Sequence, residues 1–172
     1  GMTEWVTGHV LRHHLDIDKD VTRSAGNWDA EIPPLAPERP ITILGLGELG
    51  RAAAAPLIGL GFPVTGWSRS PKSVPDLTCL HGEDGLKDAL KTAEILVLLL
   101  PYTPATENIL NADTMDLLPR GAVVINPGRG PLINDEDLLA ALDAGQIGHA
   151  TLDVFRVEPL PQEHPFWHHP NV

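Results

Sequence analysis

The segment Gly45-Leu46-Gly47-Glu48-Leu49-Gly50 spaces its glycines as G-x-G-x-x-G between an apolar run, Ile41 to Leu44, and an Ala-rich stretch that begins at Glu48. A turn of this kind between strand and helix suits a diphosphate. Gly45 permits the tight bend, Gly47 omits the Cβ that would block an anion, and Gly50 lets helix and strand approach closely. The unpaired N–H groups of the helix start then face the negative charge. With Glu48 and Leu49 completing the loop, the pattern predicts a dinucleotide site. In such sites the next strand ends about 20 residues on, at an acid that accepts hydrogen bonds from the ribose 2′-hydroxyl. Here that tip reads Trp67-Ser68-Arg69-Ser70-Pro71-Lys72 and carries no acid. Ser68 and Ser70 can donate to a 2′-phosphate, Arg69 supplies charge in a fork geometry, and Lys72 lies within reach. The expected cofactor is therefore NADP, with NAD disfavoured.

These loops need a frame to hold them. Apolar runs of strand length at Ile41–Gly45, Pro63–Trp67, Ile95–Leu100, Ala122–Asn126 and Ala150–Val154 alternate with amphipathic stretches, the pattern of βαβ units around a parallel sheet. The runs are unbroken more than alternating, as strands covered on both faces are. The fold predicted is α/β, a Rossmann-type doubly wound parallel sheet with helices on both faces. A helix is predicted over 48–60, with Pro56 expected to kink or shorten it. Asn134 caps another over 135–144, with Asp135, Glu136 and Asp137 in its first turn and Gly145 at its end. Thr3 to about Arg23 reads as one helix with an apolar stripe of Trp5, Val6, Val10, Leu11 and Leu15, and with His13, His14, Asp16, Asp18 and Lys19 opposite. From Ala30 to Pro40 the prolines Pro33, Pro34, Pro37 and Pro40 mark a connector. One domain is expected over 1–172: leading helix 1–25, connector 26–40, core 41–161 and exit segment 162–172.

Charge narrows the partners. The 172 residues hold 23 acidic and 12 basic side chains, a formal charge of −11, which repels polyphosphate backbones and anionic membrane surfaces. No nucleic acid and no membrane is expected as a partner, and the longest aliphatic run, Ile95 to Leu100, is far too short for a span. Cys79 stands alone and the chain opens with Gly1-Met2-Thr3-Glu4, not with a basic and then apolar leader, so a reducing cytoplasm is expected. No His/Cys/Asp/Glu metal motif is recognised, and no metal is expected.

Further motifs carry a resemblance. The glycine loop continued to Arg51, Leu100-Pro101-Tyr102-Thr103-Pro104-Ala105-Thr106, Ile125-Asn126-Pro127-Gly128-Arg129-Gly130, and Leu152-Asp153-Val154-Phe155-Arg156-Val157-Glu158-Pro159-Leu160-Pro161 occur in one order over nearly the whole chain. Together they resemble the D-isomer-specific 2-hydroxyacid dehydrogenases, and the Trp-Ser-Arg-Ser tip resembles their glyoxylate/hydroxypyruvate reductase branch. The resemblance implies that Arg129 grips the carboxylate of a small 2-keto acid and polarises its keto group, as a planar cation with parallel donors can. It implies that Glu158 pairs with a catalytic histidine, whose proton a neighbouring negative charge retains near neutral pH. Asp153, Asn126, Pro127 and Gly128 are implied to lie near the nicotinamide, and Leu100, Pro101 and Thr106 to touch the cofactor. Pro127-Gly128 departs from the family, which usually has small or branched residues before the arginine.

None of the eight histidines matches the catalytic one by motif; His164, His168 and His169 read as a polar surface loop. The sequence is thus read as a cofactor domain cut from a longer chain, lacking its substrate domain. The expected activity is NADPH-dependent reduction of glyoxylate or hydroxypyruvate, in a homodimer joined through the first helix. A dinucleotide-sensing module of the corepressor type, or another member such as a phosphoglycerate dehydrogenase, is the alternative reading.

Overall fold

The computed structural model describes residues 1–22, 26 and 32–172. Its elements run α1 (Met2–His14), α2 (Ile17–Thr22), β1 (Ile41–Leu44), α3 (Glu48–Gly59), β2 (Val64–Ser68), β3 (Thr78–His81), α4 (Gly82–Lys91), β4 (Ile95–Leu98), α5 (Ala112–Met115), β5 (Ala122–Asn126), α6 (Asp135–Asp143) and β6 (Ile147–Leu152). The strands form a six-stranded sheet in the order β3-β2-β1-β4-β5-β6, every pairing parallel. Because the chain reverses its direction of travel across the sheet at β1, a crevice opens beyond the carboxyl ends of β1 and β4.

Both faces of the sheet are covered, which is why its strands read as unbroken apolar runs. Ile41 and Ile43 pack with Val6, Val10, Ala53 and Leu57 beneath α1 and α3. Leu44 turns the other way and packs with Leu90, Leu98 and Val124 beneath α4 to α6. Thr42, also buried on that side, donates its hydroxyl to the Ala89 carbonyl at 3.1 Å. The doubly wound sheet expected from the sequence is the fold observed. Leu44 sits level with Trp67 on one side and Leu98 on the other, and Asn126 with Leu152, so the loops that follow these strands emerge along one edge.

Where sequence and structure part, the reasons are local. The predicted leading helix breaks after His14 and resumes at Ile17, because Asp16 takes a φ of 54°, a left-handed conformation that aspartate tolerates. Arg23, Ala30 and Glu31, at the ends of the predicted helix and connector, lie outside the described residues. His13 and His14 do not face solvent as expected. His14 is buried edge-on against Phe62 at 4.8 Å, and His13 meets the Thr151 hydroxyl at 2.8 Å. Burial, with His149 next in effect, pushes the His13 imidazole down to about 4.

Helix α3 runs through Pro56 to Gly59; the carbonyl that loses its partner belongs to Ala52, which is exposed to water. Strand β6 starts before its predicted place because its ladder with β5 begins at Ala122 and Ile147. Strand β3 was not predicted, since its Thr-Cys-Leu-His sequence at the sheet edge has no apolar run. The helix after it, α4, is signalled along its length by Leu86, Ala89 and Leu90 at helical spacing. Asn134 does cap α6, its side-chain oxygen accepting from the Asp137 N–H at 3.1 Å.

Candidate functional site

The glycine loop is threaded between neighbouring strands. Gly45 donates its N–H to the Trp67 carbonyl at 2.8 Å and has a φ of 114°; a Cβ there would stand 2.5 Å from the Leu99 carbonyl oxygen. At Gly50 a Cβ would fall 1.8 Å from the Gly45 carbonyl oxygen, so this glycine lets α3 close on the loop. Gly47 is different. It is the N-cap of α3 in extended conformation, and its hypothetical Cβ meets nothing within 4 Å. The space beside it is open, at the start of a twelve-residue helix whose first-turn N–H groups have no partner within the helix. This cradle fits a diphosphate. Glu48, the acid of that turn, has a side chain 91% exposed and paired with Arg51, which carries its charge outward.

Gly47→Val therefore separates binding from folding. The variant is expected to fold with a loss of no more than about 1 kcal/mol from the poorer cap, yet to bind dinucleotide about 100-fold more weakly because the branched side chain occupies the diphosphate space. Thermal melting and fluorescence titration with NADPH measure the two effects separately.

Beside the cradle lies a cleft of about 580 Å³ lined by Gly45, Gly47, Trp67, Ser68, Arg69, Ser70, Lys72, Leu100, Pro101 and Thr106, all expected from the sequence. Their parts in it differ. Arg69, Ser70 and Lys72 are exposed, and no acid among the described residues pairs with either cation. Ser68 is buried and its O–H already donates to the Ser70 carbonyl at 2.8 Å; with a single proton to donate, it shapes the turn and is not the outward donor expected. Trp67 donates its indole N–H to the Gly82 carbonyl at 2.9 Å, tying the tip of β2 to the start of α4. Thr106 closes the segment after β4, accepting from the Thr103 N–H at 2.9 Å and donating to the Pro101 carbonyl at 2.7 Å. Leu46, Gly82, Glu83, Leu86, Leu99, Thr103, Ala105 and Ile109 also line the cleft. Of these, sequence reasoning missed Gly82, Glu83 and Leu86 because β3 was not recognised; a glycine followed by acids, Gly82-Glu83-Asp84, was the available helix-start signal.

The remaining candidates do not line that cleft. Leu49 is half exposed on α3, and the others form a rim beyond β5 and β6. Asn126 is buried; its amide donates to the Arg129 carbonyl at 3.0 Å and its oxygen accepts from the Gly128 N–H at 3.1 Å. Pro127 and Gly128 are buried within this turn. A Cβ on Gly128 would lie 2.8 Å from the Leu98 carbonyl oxygen, which explains a glycine before the arginine. Arg129 itself is exposed, with one guanidinium nitrogen donating to the Gly128 carbonyl at 2.7 Å. Glu158 is exposed too and accepts from the Phe155 N–H at 2.9 Å. The Asp153 N–H donates to the Asn126 carbonyl at 3.1 Å, and its exposed carboxylate acts on His9 of α1, whose imidazole burial and Arg12 still hold below the usual range.

Of the histidines near the end of the chain, His168 is exposed as a surface loop would have it, whereas His164 and His169 have partners. Nδ1 of His164 accepts from the Phe166 N–H at 3.3 Å and its Nε2 lies 3.8 Å from Asp135. His169 repeats the arrangement, accepting from the Asn171 N–H at 3.1 Å with its Nε2 3.4 Å from Asp143. Both dock the exit segment on α6. Among the described residues no cluster of His, Cys, Asp or Glu could hold a metal ion, and no helix is long and apolar enough to cross a membrane.

Known proteins share this fold. Residues 6–172 match the family model described as "D-isomer specific 2-hydroxyacid dehydrogenase, NAD binding domain". A "Glyoxylate/hydroxypyruvate reductase A" of Yersinia enterocolitica is 41% identical over 172 residues, spanning 99% of this chain and 55% of its own length. The crystal structure of a D-isomer specific 2-hydroxyacid dehydrogenase from Xanthobacter autotrophicus, in complex with NADPH and MES, superposes with a TM-score of 0.95 at 45% identity, over 99% of this chain and 55% of that one. That of an NADPH-dependent glyoxylate/hydroxypyruvate reductase from Sinorhizobium meliloti, in complex with NADP and sulfate, gives 0.93 at 38% identity, over 99% and 56%. The chain thus spans about half the length of these relatives. Matched by the family model over nearly its whole length, it belongs to the D-isomer-specific 2-hydroxyacid dehydrogenases, of which it carries the NAD-binding domain.

Proposed function

We propose that this chain is the NADP(H)-binding part of an NADPH-dependent reductase of small 2-keto acids, glyoxylate or hydroxypyruvate, yielding D-2-hydroxy acids. The observation that carries the cofactor choice is the tip of β2, where Arg69, Ser70 and Lys72 face the cleft and no acid occupies the ribose position. A 2′-phosphate is matched by such a tip and a bare 2′-hydroxyl is not. Two of the relatives described above were crystallised with NADPH or NADP, which supports the same choice.

When bound, NADPH supplies the hydride that the reduction needs. The chain's own residues then bind and orient. The α3 cradle holds the diphosphate, and Leu100 and Pro101 give the cleft an apolar wall after β4. Arg129 presents N–H groups not engaged by Gly128 to the carboxylate and keto oxygen of the substrate, where they favour the negative charge that develops. Glu158 offers a carboxylate to an imidazole supplied by the further length that the relatives have, and would raise its pKa.

The organisation into a leading segment 1–25, connector 26–40, core 41–161 and exit segment 162–172 belongs to this proposal, as do a cytoplasmic location, to which a lone Cys79 is suited, and a homodimer. Val6 and Val10 are fully buried in the protein's own core, so a dimer contact would use the exposed Leu15, Ile17 and Val21 at the end of α1 and on α2.

Isothermal titration of the 172-residue chain tests the reading. NADPH is expected to bind, with NADH at least about tenfold weaker, and the isolated chain is expected to leave glyoxylate unreduced. Equal affinity for the two coenzymes would remove the NADP assignment, and turnover by the chain alone would refute the need for further residues.

A further inference from the structure

Arg156 is not among the site residues so far described, yet its side chain joins separate segments. Nη2 donates to the Ile133 carbonyl at 2.7 Å and to the Asn108 side-chain oxygen. Nη1 meets the Glu107 carboxylate at 3.4 Å. Asn108 holds a left-handed φ of 49°, and its N–H donates to the Pro131 carbonyl at 2.9 Å, while the Leu110 N–H donates to the Leu132 carbonyl at 3.1 Å. The 107–110 segment, which continues from the cleft wall at Thr106, is thereby zipped to the residues directly after Arg129. On the other side Gly130 presses on the backbone that carries Arg156. A Cβ at Gly130 would stand 1.9 Å from the Phe155 carbonyl carbon, and the Phe155 N–H is the donor to Glu158. The cleft wall, the Arg129 turn and the Glu158 turn therefore meet at one guanidinium.

We propose that Arg156 is a positioning residue: it ties the segment bearing Glu158 to the 107–110 segment and to the residues that follow Arg129, and so sets the spacing between the guanidinium that meets the substrate and the carboxylate that meets the imidazole. The inference rests on the reductase reading above. A guanidinium suits the task because it directs several donors in one rigid plane, here to a backbone carbonyl, an amide oxygen and a carboxylate on two different segments. With the side chain 33% exposed, part of this set is shielded from competing water. A lysine offers one point charge and cannot reach the same acceptors together.

The test uses the enzyme extended to the length of its relatives. Arg156→Lys is expected to lower kcat/KM for glyoxylate by about tenfold or more, through both kcat and KM, while the NADPH dissociation constant changes by less than about twofold. Oxamate, an unreactive analogue of a 2-keto acid, is expected to bind the NADP-loaded variant correspondingly more weakly. Amide hydrogen exchange gives a readout that needs no turnover: Asn108, Leu110 and Ile133 should exchange about tenfold faster in the variant, with the amides of β1 and β4 unchanged. Glu107→Gln, a milder change, should lower kcat/KM by about threefold and decides the matter if Arg156→Lys does not fold. Unchanged local exchange, exchange raised equally throughout the sheet, or kcat/KM within about twofold of the parent would each overturn the proposal. If the parent enzyme reduces no 2-keto acid, the reductase reading falls, and local exchange alone still decides whether Arg156 holds these segments together.

Discussion

Replacing Arg69 with aspartate is expected to reverse the coenzyme preference, lowering kcat/KM with NADPH by about two to three orders of magnitude while that with NADH holds or rises. The loss has separable sources. The guanidinium removed would donate charge-assisted hydrogen bonds to the 2′-phosphate, each worth about 1.5–3 kcal/mol. The carboxylate put in its place repels that phosphate, although its exposure to water tempers the effect. The same carboxylate accepts hydrogen bonds from the two ribose hydroxyls of NADH, a role for which this tip has no residue now. Lys72 and Ser70 still line the cleft and leave a residual response to the phosphate, which is why the expected loss is not larger. Steady-state rates with both coenzymes, measured on the enzyme at its relatives' length, check this. An unaltered ratio would mean that Arg69 is a solvated side chain without a part in recognition.

Arg129→Ala is expected to cost about three orders of magnitude in kcat/KM for glyoxylate, with the NADPH dissociation constant held within about twofold. The contrast follows from where the side chain stands. Arg129 lies on the rim beyond β5 and does not line the cleft that fits the coenzyme. Its turn is held chiefly by Asn126, through bonds to the Arg129 carbonyl and the Gly128 N–H, and the guanidinium adds one bond of its own, to the Gly128 carbonyl. Truncation should therefore leave the backbone in place and remove only the cation. What is lost is a paired contact to the substrate carboxylate and a donor to the oxygen that becomes negative as hydride arrives, each of a size that removes one to a few kcal/mol. Arg129→Lys should recover a small part, since a point charge cannot reproduce the two parallel donors. Kinetics with glyoxylate and titration with NADPH separate the two effects; equal losses in both would place Arg129 in the coenzyme site.

Much of this protein could be read along the chain. Ala122–Asn126 was delimited correctly, because a buried parallel strand must be apolar on both faces and the run stops at the first polar side chain. The glycine loop was equally legible: the positions where a Cβ would strike backbone, Gly45 and Gly50, are ones that sequence spacing alone identifies. Edge strand β3 was not legible, since its half-exposed residues need no apolar run, and with it went Gly82, Glu83 and Leu86 of the cleft. His14 was placed on the wrong side of its helix because helical periodicity assigns faces by polarity, whereas Phe62 covers an imidazole as readily as an aliphatic side chain.

What the amino-acid sequence determined by itself is thus local: the apolar strands, the glycine loop and the cationic tip at Arg69, each encoded within a few neighbouring residues, whereas Arg129 and Glu158 drew their expected roles from a family resemblance. Only the tertiary structure decided which polar groups remain available. It turned the Ser68 hydroxyl inward to Ser70, bound the Trp67 indole to Gly82, and gathered Glu107, Asn108 and Ile133 around Arg156. The physical reason is that a hydrogen-bonding group has few donors and acceptors, and whether a distant carbonyl has already engaged them depends on contacts between residues far apart in the chain.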